Sequence, residues 1–277
     1  MATAPRELSR INPKGHAMTA ETTAVRRDDQ VTEDCLYVFG IVDGGRPVPS
    51  SDGPPGEGLE PAPLRVATVD EVAAVYSPFD PTSLSAAAED LAVEELAGLA
   101  RRHDAVLRRL AEDGPVLPMR LGTLCADASR LTDLLRRSTG RILAALDAVR
   151  GRSEWSVRVS AGPSVSPAPA NEGSGTQYLL DRRHQRQRAA EQAEAVARAA
   201  EAMDCELAAL AYRTRDRLRR ADTVLARSYL VVDEARDDVL DVLDAAGEPL
   251  RAAGCAVEVD GPLPPYSFTD VQLEVGP

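Results

Sequence analysis

The chain has 277 residues, 44% of them apolar and 4% aromatic, with a formal net charge of -12 at pH 7 and a pI near 4.8. That length and apolar share suffice for one large domain or two ordinary ones. The strong negative charge opposes association with phosphate backbones or anionic membrane surfaces, so neither nucleic acid nor membrane is an expected partner.

Residues 1–34 are polar, carry Pro5, Pro13 and Gly15, and lack the apolar run of a signal peptide. They read as a disordered extension. LYVFGIV, residues 36–42, is an apolar run closed by Asp43-Gly44-Gly45 and predicts a buried central strand. The stretch from Gly44 to Pro63 is too rich in proline and glycine for a ladder and reads as a long loop. LRVATVDEVAAVYSPF then offers two β-like runs about Asp70-Glu71, a hairpin ended by Pro78 and Pro81.

From Ser85 to Asp113 the positions Ala92, Leu96, Leu99, His103, Val106 and Leu110 form one face of an amphipathic helix, broken by Gly114-Pro115. VLPMRLGTL, residues 116–124, follows as a strand. Alternation there puts Arg120 on the face of Val116, Pro118 and Leu124, where a buried guanidinium needs a carboxylate. An ion pair to a neighbouring helix is expected, with ligand binding as the alternative. Asp127 can cap a helix running to Arg150 and ended by Gly151, and Trp155, Val157 and Val159 then alternate as a half-buried strand.

Residues 161–175 are rich in Pro, Ser and Gly and read as a flexible loop. Beyond it, Ala189, Ala193, Val196, Ala200, Met203, Leu207, Leu210 and Thr214 step by four and three along the longest helix. Such a stripe fits a helix lying across a sheet, the expected arrangement, and also a coiled-coil contact. TVLARSYLVV, residues 223–232, is a strand, Asp233 caps a helix to Ala253, Gly254 ends it, and CAVEVDGPLPPYSF is one strand with a proline-stiffened tail. This order predicts α+β architecture with small sheets of the split βαβ type, each covered by helices on one face.

No GxGxxG or GxxxxGK[ST] turn exists, so no phosphate cradle is predicted. His16, His103 and His184 are the only histidines. His103, on its apolar helix face, reads as a core histidine bonded to a buried carbonyl or carboxylate, and His184 as a surface group. Cys35, Cys125, Cys205 and Cys255 are too far apart for a zinc module and read as isolated, mostly buried thiols of a reducing compartment. DRRHQRQR, residues 181–188, supplies the main basic cluster, either a solvated face or a docking surface for an acidic partner. No run of about 20 apolar residues is present, which predicts a cytoplasmic protein without a membrane helix. No catalytic, cofactor or metal-binding residues are predicted, and a non-enzyme is expected.

The ordered series LYVFGIV, RRHDAVL, PVLPMRLGTL, EWSVRV, SGTQYLLDRRHQR, SYLVV and GPLPPYSF resembles the GvpF/GvpL family of gas vesicle proteins over residues 36–268. It departs at Leu263, where the family usually has tryptophan, at Leu121, where phenylalanine is frequent, and at Gln177, near an often basic position. The resemblance implies two α+β domains. An N-terminal ferredoxin-like domain would span residues 35–151, and residues 152–260 would form a small α+β sheet with a long helix, before a tail at residues 261–277. It implies a non-catalytic accessory protein for vesicle assembly that binds the hydrophobic shell subunit of GvpA type and other minor vesicle proteins. Arg120, Tyr178, Arg182, Arg183, Pro264, Pro265, Tyr266 and Phe268 are the partner-binding residues expected on the matched motifs. A ligand-sensing module with paired small domains stands as the alternative.

Overall fold

A computed structural model of the chain describes residues 35–46, 64–79, 93–162 and 175–269. The expectations for residues 1–34 with His16, for residues 47–63, for residues 80–92 with Pro81, Ala92 and the helix start at Ser85, for residues 163–174, and for the last residues of the tail lie outside them.

The first half is built on β1 (Cys35–Asp43), whose residues 36–42 are all buried. β2 (Arg65–Val69) and β3 (Val72–Phe79) form the expected hairpin, turning at Asp70, which has φ 51°. β3 runs through Pro78 to Phe79, because β2 pairs only as far as Tyr76 and leaves Pro78 beyond the shared ladder. α1 (Val93–Glu112) leads into β4 (Val116–Pro118) and β5 (Leu124–Cys125), which both pair antiparallel with β1. The strand order is β2-β3-β1-β4.

α2 (Ala128–Val149) starts where Asp127 accepts the Arg130 N–H at 2.8 Å and stops at Gly151, with φ 62°. Leu36, Val38 and Ile41 pack with Leu131, Leu135, Ile142 and Leu146 of α2. Tyr37, Phe39 and Val42 pack with Val106, Leu107 and Leu110 of α1. The two helices therefore cover opposite faces of this sheet, which corrects the one-face expectation. The unbroken apolar run of β1 is the reason, since both faces of a fully buried strand must be covered.

The second half runs β6 (Arg152–Ser160), α3 (Gly175–Leu210), β7 (Ala211–Asp216), β8 (Thr223–Val232), α4 (Arg236–Ala252) and β9 (Ala256–Leu263). Its antiparallel sheet has the order β7-β8-β6-β9, the split βαβ arrangement with both of its helices. Trp155, Val157 and Val159 face Val196, Ala200, Met203 and Leu207 of α3 and Val239, Leu243 and Leu250 of α4. The second half of the α3 stripe thus lies on the sheet as expected.

Two local expectations change. α3 ends at Leu210, and Thr214 belongs to β7, a strand that the helical period concealed. Asp233 caps nothing: a 3-10 turn over Asp233–Ala235 precedes α4, and the N-cap Ala235 makes no side-chain bond. Asp237 and Asp238 in the first turn of α4 still favour the helix through its dipole. The described residues all lie within one compact unit, Glu33–Pro277. The chain is mixed α+β with two antiparallel sheets and a long helix.

Candidate interaction surfaces

Three parts of the fold carry the predicted partner-binding residues. The first is the segment after β4. It is not one strand: the chain turns out of the sheet between Pro118 and Leu124, with Gly122 at φ 83° and the Arg120 carbonyl accepting the Thr123 N–H at 3.0 Å. Arg120 is consequently exposed and makes no ion pair among the described residues. This corrects its expected burial, because alternation holds only while the ladder continues. Leu121 beside it is 42% exposed.

The turn is held from beneath. His103 on α1 is buried, as its helix position predicted. Its Nε2–H donates to the Met119 carbonyl at 3.1 Å, and its Nδ1 accepts from the Tyr37 hydroxyl at 2.7 Å. The Tyr37 oxygen accepts the Gly122 N–H at 3.2 Å. This network assigns the neutral Nε2–H tautomer and satisfies every member. Burial pushes Tyr37 up to about 12 and pushes His103 below its ordinary value of 6.5, against the Met119 carbonyl and Asp104, which raise it.

A base with a lowered native pKa is uncharged in the fold while the unfolded chain still takes up a proton. His103 therefore contributes stability that is complete above about pH 6.5 and declines as the pH falls from there toward the native value. Melting temperatures across that range are expected to drop on the acid side, and His103→Gln should lose the part of the drop that this residue causes. An identical acid profile in the variant would reject the assignment.

The second part is the tail. Gly261 passes so close to Trp155 that an added Cβ would stand 2.6 Å from the indole ring, so the glycine of the closing motif serves close approach. Pro264, Pro265 and Phe268 are buried and Tyr266 is half-buried. Ser267 donates its N–H to Glu154 Oε2 at 2.7 Å and its hydroxyl to Glu154 Oε1 at 2.6 Å, with Ser228 Oγ 3.2 Å from Ser267 Oγ. Arg215 donates to the Ser267 carbonyl, and the Tyr266 hydroxyl bonds Asp104 of α1. Phe268 joins Leu230 in the cluster under α2, with the Arg213 guanidinium 6.0 Å from its ring centre. The tail ties β6 and β8 to the first half. Glu154, buried on the strand face turned away from α3 and α4, was not singled out in the sequence. Alternation puts it with Ser156 and Arg158 on the polar positions of β6, so no local signal marks it.

The third part is the start of α3. Every residue from 177 to 195 is exposed, with Tyr178 at 52%, Leu179 at 66% and Leu180 at 45%. Arg182 donates to the Tyr178 hydroxyl at 3.0 Å, while Arg183, His184, Arg186 and Arg188 face solvent. Tyr178, Arg182 and Arg183 are thus gathered on one accessible segment. Arg120 lies on the separate turn, and the four tail residues are packed within the chain.

A groove of about 430 Å3 lies between the end of α1, the end of α2 and the tail, with Arg108, Arg152, Glu112, Asp233 and Leu263 on its walls. Its charged groups are of both signs. Among the described residues no group of three or more His, Cys, Asp and Glu is placed to hold a metal ion, and no helix is long and apolar enough to cross a membrane.

A family model described as "Gas vesicle synthesis protein GvpL/GvpF" matches residues 35–270. Gas vesicle protein L of Streptomyces sp. (strain CB03234) is 35% identical over 266 residues, covering 88% of this chain and 96% of that protein. Crystal structures of gas vesicle protein GvpF share the fold. The one from Anabaena sp. PCC7120 has a TM-score of 0.61 at 15% identity over 86% of this chain and 97% of its own. The one from Microcystis aeruginosa has a TM-score of 0.60 at 16% identity over 86% of this chain and 99% of its own.

Proposed function

The chain belongs to the GvpL/GvpF family of gas vesicle synthesis proteins, and from that gas vesicle role we propose that it is a non-catalytic assembly factor that binds the hydrophobic shell subunit of GvpA type. It works at the growing vesicle alongside the minor vesicle proteins. A shell subunit with an apolar face aggregates until it is placed in a wall, so it needs a partner that covers that face. The net charge of -12 on this chain keeps such a complex dispersed.

The observation that carries the reading is the start of α3, where three consecutive large apolar side chains stand in solvent beside arginines. Exposed apolar clusters rimmed by charge mark contact sites. Tyr178, Arg182 and Arg183 belong to this surface, and Arg120 with Leu121 offers a second, smaller contact. Pro264, Pro265, Tyr266 and Phe268 contribute by fixing the frame that carries both.

Co-expression with the shell subunit tests this. The intact chain should co-purify with it, and Tyr178→Asp with Leu179→Asp and Leu180→Asp should reduce recovery at least tenfold, equivalent to about 1.4 kcal/mol, without lowering the melting temperature. Failure of the intact chain to co-purify would reject the reading, and undiminished recovery of the triple variant would move the contact elsewhere.

A further inference from the structure

We propose that the exposed half of α3 pairs antiparallel with the same helix of a second copy of this chain, about a twofold axis at Ala190. The helix leaves the body near Gln192, whose side chain still donates to the Ala253 carbonyl at 3.1 Å. From there back to Gln177 every side chain is exposed. Helices in proteins draw most of their stability from packing one face, and a free helical arm in water lacks that support. Something must cover this arm.

The pattern of charge selects the occupant. Arg183, Arg186, Ala190, Glu194, Ala197 and Glu201 recur at steps of three and four, all exposed, on a face turned away from the Val196, Ala200 and Met203 stripe. That face is basic before Ala190 and acidic after it, with alanines that permit close approach of two backbones. An antiparallel twofold places Arg186 of one copy opposite Glu194 of the other, twice by symmetry, since both stand four residues from Ala190. Arg183 then lies between the second copy's Glu194 and Glu201. A parallel pair would oppose arginine to arginine and glutamate to glutamate, so the orientation follows from the charges.

Glu194 bonds Arg198 of its own helix at 2.6 Å, with both side chains well exposed. Such an exposed pair is weak and yields readily to a better partner. An overlap from Gln177 to Met203 at 1.5 Å per residue runs about 40 Å. A two-helix contact of that length is at the small end of specific interfaces, which makes the dimer weak and sensitive to salt. Leu179 lies on the same face, so the pair is the form held without shell subunit, and the two contacts exclude one another.

The test uses the purified full chain alone and therefore stands apart from shell-subunit binding. Sedimentation equilibrium should show a dimer at low salt that dissociates as salt is raised. Arg183→Glu with Arg186→Glu should give a monomer, as should Glu194→Arg with Glu201→Arg, each with unchanged far-ultraviolet circular dichroism. Mixed in equal amounts, the two variants should form a heterodimer, because reversing both sets of charges restores the match. A monomeric parent chain overturns the proposal, and so does a dimer that survives either reversal or variants that fail to recombine.

Discussion

Phe268→Ala is expected to lower the stability of the chain by about 3–5 kcal/mol, the usual loss for a truncated core phenylalanine. For a protein of this size that corresponds to roughly 6–20 °C in melting temperature, at about 2–4 °C per kcal/mol. The ring is 4% exposed and belongs to the cluster that α2 forms with β1, which also takes in Leu230 of β8. Its removal opens a cavity where the two halves meet. Binding of the shell subunit by the variant that remains folded should be unaltered, because the side chain is internal. Unchanged melting with lost binding would instead make the tail an interface.

Glu154→Ala carries the second large effect, about 2–4 kcal/mol, because it strips two hydrogen bonds and strands the Ser267 N–H in a partly buried site. Glu154 is 2% exposed, and both of its oxygens are engaged by Ser267. Glu154→Gln keeps the shape and one acceptor, and the Ser267 hydroxyl can rotate to accept from the new amide, so most of the loss should be recovered. Thermal denaturation of the three proteins under one set of conditions decides it. A neutral Glu154→Ala would mean that the tail is held by apolar packing alone. In the cycle with Phe268→Ala the two losses should not add, since both changes release one segment.

Much of the fold was legible in local chemistry. Asp127, Gly114, Gly151 and Gly254 marked helix ends because caps and left-handed glycines act within a few residues. The stripe of α3 announced its sheet contact through Val196, Ala200, Met203 and Leu207, and His103 announced a core role through its helical position. Where reading failed, a competing local pattern won. Arg120 followed strand alternation on paper, but Gly122 turned the chain before the pattern could continue. The start of β7 continued the period of α3, so its residues as far as Thr214 passed for helix.

The order of strands and helices, apart from β7 and the break between β4 and β5, was legible before any fold, as were the resemblance to the gas vesicle family and the lack of the motifs through which enzymes commonly cradle phosphate. Which of the named residues meet solvent became visible only in the folded chain. Tyr178, Arg182 and Arg183 stand on an exposed helical arm, whereas Pro264, Pro265 and Phe268 are packed within the chain, in a clasp closed by Glu154 on the strand face turned away from α3. Distance along the chain accounts for the difference. Caps, turns and periodicity act between neighbours, but burial of the tail depends on a carboxylate 113 residues away from the serine it holds, and no local pattern encodes that meeting.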